Sequence, residues 1–355
     1  MTLDPTNTTL AAAPGPISGN SNPELDGARR LAPFAFSASV EFRVTIETMK
    51  NRVLTAVVLA ALTFSSAFLF GANNPANWRS QLLEWRAKRA KNLTAPEGWM
   101  SLVGLEWLKQ GDNTIGAAAG NSIVLKKSAP HLAIFKLHGQ QVMLAAPVGG
   151  FPKELTVDGH AAQNGQTIAP DDSANPTKLK IGTLTILVIH RGDKYGVRIK
   201  DSQSPTITGF HGLKWYPPDL AYRVKAKWIP YNPPKQKPVP TILGTTENMV
   251  VPGVAEFMVQ GKSSRLEPVL EEPGDKQLFF IMRDATSAST TYGAARFLYT
   301  DFPDHGLTQP GELWIDFNRA QNPPCAYTPY ATCPLPPPEN RLKIAIPAGE
   351  KRYSH

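Results

Sequence analysis

Three short apolar runs, Thr177-Lys178-Leu179-Lys180-Ile181, Leu184-Thr185-Ile186-Leu187-Val188-Ile189-His190 and Gly196-Val197-Arg198-Ile199-Lys200, are separated by turns at Gly182 and Gly192. Runs of this length, rich in β-branched residues and bounded by glycine, predict strands joined by tight turns. The same pattern extends upstream through Ser122–Lys126, His131–Leu137, Gln140–Ala145 and Glu154–Val157, with Gly139 and Gly159 as punctuation. Seven closely spaced strands between residues 112 and 200 predict a β-sandwich or barrel rather than a parallel α/β sheet.

Downstream, residues 201–240 read as a connection. It holds Trp215-Tyr216-Pro217-Pro218 and the run from Pro230 to Pro238, and within it Tyr222–Trp228 alternates as a strand does. A second strand series follows at Pro240–Thr245, Glu256–Val259, Arg265–Val269, Gln277–Arg283, Ala295–Tyr299 and Glu312–Phe317, with Leu342–Ile346 as a closing strand. Upstream of the first series, Trp78, Leu82 and Trp85 recur at helical spacing, so residues 77–93 predict a helix that ends before Pro96. A second short helix is expected over Met100–Leu108. The fold expected is therefore mainly β: an N-terminal helical hairpin, a β-sandwich, then a second antiparallel β unit with a Pro-rich C-terminal loop. The units are drawn at residues 77–210 and 211–355, with the boundary near 205–220.

The 355 residues are 42% hydrophobic and 19% charged, enough apolar material for a core and too much for wholesale disorder. The formal charge is +8, but the Lys and Arg are scattered. Without a basic run, an Arg/Gly tract or zinc-finger spacing, no nucleic-acid partner is expected.

Residues 1–48 show no sustained period and read as a non-native or disordered extension. Met49-Lys50-Asn51-Arg52, the apolar run Val53–Phe64 and the small residues Ser65, Ser66 and Ala67 then have the three-part layout of a secretory signal. A signal peptide at 49–72 implies an exported protein, periplasmic or extracellular, that touches a membrane only if the segment stays uncleaved. The two cysteines, Cys325 and Cys333, are expected to form one disulfide closing a small loop, since an even count in an exported chain suits a bridge. Two Cys without a nearby His do not complete a tetrahedral metal site, so no metal or cofactor is expected.

The segment from Asp316 to Leu342 is the least ordinary part of the chain. Seven of the 17 residues from Asn322 to Pro338 are Pro, which makes a stiff loop. Asp316, Asn318, Arg319, Glu339, Asn340 and Arg341 stand at its two ends, and Arg283, Asp284, Tyr292 and Arg296 precede it. A stiff loop that carries polar side chains can hold a ready-made site, and Arg pairs bidentately with anions. These ten residues are the candidate pocket, for a small anionic or sugar-like ligand. The alternative is structural: Asn and Asp cap turns, and Arg296 pairs with Asp284. A second alternative is a metal-independent hydrolase with Asp316 or Glu339 as base. No Gly-x-Ser-x-Gly elbow and no His-x-x-x-His pair supports another hydrolase class.

This segment, together with Arg283-Asp284-Ala285-Thr286, Thr291-Tyr292-Gly293-Ala294-Ala295-Arg296-Phe297-Leu298 and Ala348-Gly349-Glu350-Lys351, resembles the bacterial family called domain of unknown function 1684. Gly98-Trp99-Met100-Ser101-Leu102-Val103-Gly104-Leu105 and Arg191-Gly192-Asp193-Lys194-Tyr195-Gly196-Val197-Arg198 extend the resemblance over about residues 77 to 353. It implies no particular chemistry. Residues 110–200 also resemble forkhead-associated sandwiches, through Ile115-Gly116, Asn121-Ser122-Ile123-Val124-Leu125, Pro130-His131 and Val157-Asp158-Gly159. Ala117 stands where those modules carry their phosphothreonine-binding Arg, so that likeness implies a fold and not phosphopeptide binding.

Overall fold

The computed structural model describes residues 75–354, apart from residue 273. The expected extension at 1–48 and signal segment at 49–72 lie outside the described residues.

Helix α1 (Pro75–Leu93) opens with proline at its first position, where a missing N–H costs nothing. It buries Trp78, Leu82, Arg86 and Leu93. Arg86, a charged residue, is buried with its guanidinium over the Trp215 ring.

The second helix of the expected hairpin does not form. Trp99–Ser101 is a single 3-10 turn, and Leu102–Trp107 is strand β1. Its inward residues Leu102 and Gly104 alternate with outward ones, and Gly196 on the facing strand leaves room for the Trp107 ring. The segment is short and apolar, so its period alone does not separate helix from strand.

Ten further strands complete the first unit: β2 (Gly111–Gly116), β3 (Ile123–Val124), β4 (Ala133–His138), β5 (Gln141–Ala145), β6 (Thr156–Val157), β7 (His160–Ala161), β8 (Gln166–Ile168), β9 (Lys178–Ile181), β10 (Leu184–Arg191) and β11 (Lys194–Asp201). They form two sheets, ordered β1-β11-β10-β9-β6-β7 and β3-β2-β4-β5-β8. Phe135, Leu144 and Ile115 of one sheet and Ile186, Val197 and Leu179 of the other share one buried cluster, so the unit is a sandwich. A one-turn helix α2 (Pro205–Thr208), capped by Ser204, leads out of it.

In the second unit, β12 (Arg223–Pro240) and β13 (Thr246–Val259) form a long hairpin. The prolines at 230, 233, 234 and 238, expected in a connection, lie inside β12. Beyond Trp228 that strand has β13 on one side only, because its pairing with β17 stops there. An edge strand tolerates residues without an N–H. Residues 240–245, expected as a strand, are instead the end of β12 and the turn of the hairpin. At its base Gly253 faces Trp228, and a Cβ there would meet the indole at 2.5 Å.

β14 (Lys262–Leu266) and β17 (Gly311–Asp316) flank the hairpin, while β15 (Gln277–Met282) and β16 (Arg296–Asp301) pair separately. Residues 342–346 form no strand. Ile344 and Ile346 are buried in the core of this unit, alongside Trp228 and Phe280, without a ladder. The two units therefore have separate cores. A small cluster of Leu93, Met100, Ala326 and Tyr327 joins the helix to the C-terminal loop.

Candidate functional site

The ten residues expected to build one pocket are distributed over three places. In the first, Asp284 and Arg296 form a fully buried ion pair at 2.6 Å. Asp284 also caps residues 285–288, accepting from the Thr286 N–H and hydroxyl, and Arg296 donates to the carbonyls of Ile346 and Ala348. Tyr292 lies farther along, where its hydroxyl donates to the Cys325 carbonyl at 3.1 Å.

The second place is the end of β17. Asp316 accepts from the Trp78 indole N–H at 2.7 Å and from the Asn318 amide at 2.9 Å. Asn318 is buried and bonds both backbone groups of Asp219. Arg319 lies over Trp85 and lines, with Asp316, Trp78, Arg223 and Trp314, a hollow of about 240 Å³.

At the third, Glu339 pairs with Lys237 at 2.8 Å. Asn340 is buried and bonds the N–H and carbonyl of Glu267 and the carbonyl of Ile281. Arg341 donates to the Pro336 carbonyl, and Arg283 is exposed, meeting Arg341 through a backbone bridge.

Cys325 and Cys333 are free, which corrects the expected disulfide. The Cys325 N–H donates to the Cys333 sulfur at 3.1 Å, and Cys333 packs as a small hydrophobe among Val239, Val251 and Phe279. The neighbouring Cys325 thiol and burial push the Cys333 thiol up. Among the described residues, no group of three or more His, Cys, Asp or Glu is placed to hold a metal ion.

A cleft with a different lining opens where the sandwich, α1 and the C-terminal loop meet. It measures about 240 Å³. Arg89 enters from α1, Arg191 from the end of β10, Glu247 from β13, Tyr299 from β16 and Asn322 and Cys333 from the loop. Arg89 is anchored by Glu350, donating through Nε at 2.7 Å, and its Nη2 reaches the Asn322 carbonyl at 2.8 Å. Burial alone would lower its pKa, but the charge of Glu350 and the Tyr327 phenol outweigh that and raise it. Gly349 makes this anchor possible. Its φ is +81°, and a Cβ there would meet the Ala320 carbonyl oxygen at 2.4 Å.

Arg191 grips Asp171 bidentately at 2.9 and 2.8 Å, while Glu247 lies 3.7 Å from its Nε, too far for a hydrogen bond. Oε1 of Glu247 is buried and unpartnered, as is Oδ1 of Asn322. Desolvation raises the Glu247 carboxyl above its ordinary range. Glu271 stands at the rim, much of it open to solvent, with Tyr299 also in the lining. Its carboxyl is raised too, first by desolvation and then by the charges of Asp275, Glu272 and Glu247, which together outweigh the lowering effect of the Tyr299 phenol. Next to the cleft, Arg198 on β11 lies with its guanidinium over the Trp99 ring.

Residues 208–351 match the family described as "Protein of unknown function (DUF1684)". Over that stretch the chain belongs to the family. The match takes in Glu247, Glu271, Tyr299 and the C-terminal loop, and leaves out α1 and the whole sandwich. A solution NMR structure of an uncharacterized protein of Haloarcula marismortui is similar at 31% identity, covering 41% of this chain and 78% of that one, with a TM-score of 0.35. No curated protein matches the chain.

Of the cleft residues, Trp99, Arg191, Phe297 and those from Gln321 to Pro334 stood within segments marked by the sequence, whereas Arg89, Glu247, Glu271 and Tyr299 did not. Arg89 is one of several basic residues along α1, and Glu247 and Glu271 follow no motif. What sets them apart is their position beside residues more than 20 places away in the chain.

Proposed function

We propose that this protein is a binding module for a small polar ligand, anionic or hydroxylated, taken up in the cleft between the sandwich and the C-terminal loop. The observation that carries the reading is a pair of buried oxygens at one cleft that receive no hydrogen bond, Glu247 Oε1, which has only the Arg191 guanidinium at 3.7 Å, and Asn322 Oδ1. A buried polar atom without a partner costs free energy, and a ligand that supplies the partner recovers it. None of the ten expected residues is in the lining of this cleft, and most of their hydrogen-bonding groups are engaged by protein. Export to the cell envelope belongs to the proposal and rests on the layout of residues 49–72.

A hydrolase working in the same cleft is the second reading, favoured by one feature. Glu247 and Glu271 are two carboxyls at one cleft that are both shifted upward, the direction that favours a carboxylic acid as proton donor.

The test is calorimetric titration of the full chain with a panel of sugars, small carboxylates and phosphates, with product analysis of each mixture. We expect one saturable ligand class, and binding about tenfold weaker in Tyr299→Phe and Glu271→Gln, the equivalent of about one hydrogen bond each. Binding unchanged in both variants, or no saturable ligand in the panel, overturns the reading. Turnover that is lost in Glu271→Gln selects the hydrolase.

A further inference from the structure

Arg198 is 7% exposed, and its Nε and Nη2 atoms are buried without a hydrogen-bond partner. These two nitrogens form one edge of the guanidinium, the edge whose parallel N–H groups match the two oxygens of a carboxylate or phosphate. The third nitrogen, Nη1, reaches only to 3.6 Å from Asp171, because Arg191 already holds both oxygens of that carboxylate. One acidic side chain thus serves two guanidiniums. Burial, followed by the charge of Arg191, lowers the Arg198 pKa to about 10, as expected for a cation short of counter-charge.

The surroundings place Arg198 beside the cleft. It is not itself in the lining, but Trp99 and Arg191 are: the first stacks on its guanidinium at 5.4 Å, and the second shares Asp171 with it. Trp99 covers the face of the guanidinium and leaves its edges free. It is itself 37% exposed, unusual for a large aromatic ring. A buried arginine whose bidentate edge points at no protein oxygen is poorly explained as a structural strut, since a strut has its donors engaged.

We infer that Arg198 is the anchor for an oxyanion group, carboxylate or phosphate, on the ligand of the cleft, with Trp99 as its cover. The inference rests on the proposed binding function and narrows it: the ligand carries an anionic end, and that end goes to Arg198, beneath the polar groups that hold the rest.

The probes are inorganic phosphate and malonate, titrated at constant ionic strength into the full chain and into Arg198→Met and Arg198→Lys. Thermal midpoint and tryptophan fluorescence are the readouts. In the wild type, one of the two anions raises the midpoint saturably and changes the fluorescence, and which one does so separates a phosphate from a carboxylate ligand. Arg198→Lys, which keeps the charge but loses the fork, binds that anion on the order of 30-fold more weakly. Arg198→Met has an equal or higher midpoint in anion-free buffer and no anion-dependent rise, because it removes an uncompensated buried charge. A midpoint for Arg198→Met below that of the wild type without anion would make Arg198 a strut and sink the inference. So would an absence of saturable response to both anions, the result expected if water alone fills the edge. A neutral sugar that binds in the calorimetric panel, and is weakened by Tyr299→Phe but not by Arg198→Lys, keeps the binding function and overturns the anion anchor.

Discussion

Arg296 is 1% exposed, and every contact it makes is to an acceptor: Asp284 Oδ2 and the carbonyls of Ile346 and Ala348. The pair holds residues 346–348, which have no ladder of their own, against β16. Replacing such a pair together by apolar groups is often tolerated, whereas removing one partner strands a charge. Arg296→Met therefore lowers stability by about 3–5 kcal/mol, and Arg296→Met with Asp284→Leu recovers part of the loss. Urea unfolding checks both, and a double variant no more stable than the single one refutes the stranded-charge account. The ion pair was legible in the sequence as the structural alternative, because an Arg at the start of one strand and an Asp just past the end of its neighbour have few other ways to be satisfied in an apolar unit. The addresses of Asn318 and Asn340 were not. Each amide is engaged by the backbone of a residue more than 70 places away, Asp219 and Glu267 respectively, and no local pattern marks that partner.

The loop after α1 shows how single elements are fastened. Glu97 sits between Lys178 and Lys180 on β9, at 2.7 and 3.0 Å, and its carbonyl accepts from Lys200 at 2.6 Å. Hydrogen bonds from the two lysines hold its carboxyl down at about 2, against an ordinary 4.5. A carboxyl lowered by folding adds stability above its unfolded value and loses it as pH falls through the folded one. This contribution is complete above about pH 5 and vanishes towards pH 2. With the side chain 35% exposed, solvent screening limits it to about 1 kcal/mol. Glu97→Gln should flatten that part of the stability curve by the same small amount and leave stability above pH 5 lower. A variant with an unchanged acid slope shows that the lysines do not hold Glu97 in solution. At this scale the glycine-bounded strands of the sandwich and helix α1 were legible. β1 and the proline-bearing half of β12 were not. The first is too short for its period to decide, and the second is allowed by an edge that only the assembled sheet creates.

Across the whole of residues 75–354, the sandwich and the C-terminal unit have separate cores, so the geometry of the cleft depends on what ties them together. One tie, between α1 and the C-terminal loop at the cleft, is Glu350. Its side chain is fully buried and accepts from Arg89 on α1, from Asn322 at the start of the Pro-rich loop and from the Tyr327 phenol within it. Helix α1 and the Pro-rich loop, more than 200 residues apart in sequence, thus meet on one carboxylate. Glu350→Gln keeps the shape but removes the charge, leaving Arg89 without its counter-ion and forcing an amide N–H₂ among donors. The expected cost is about 3–5 kcal/mol, the range for breaking a buried pair from one side. The loss should also be local in character. Hydrogen exchange of the α1 amides and of residues 322–333 should speed up before that of β10 and β11, whose ladder does not depend on Glu350. Glu350→Asp, one methylene shorter, restores the charge and should recover part of the stability but not the full protection of the loop. Uniform loss of protection across both units would instead mean that they unfold as one body, and that the tie at Glu350 contributes to a common core rather than to a joint between two.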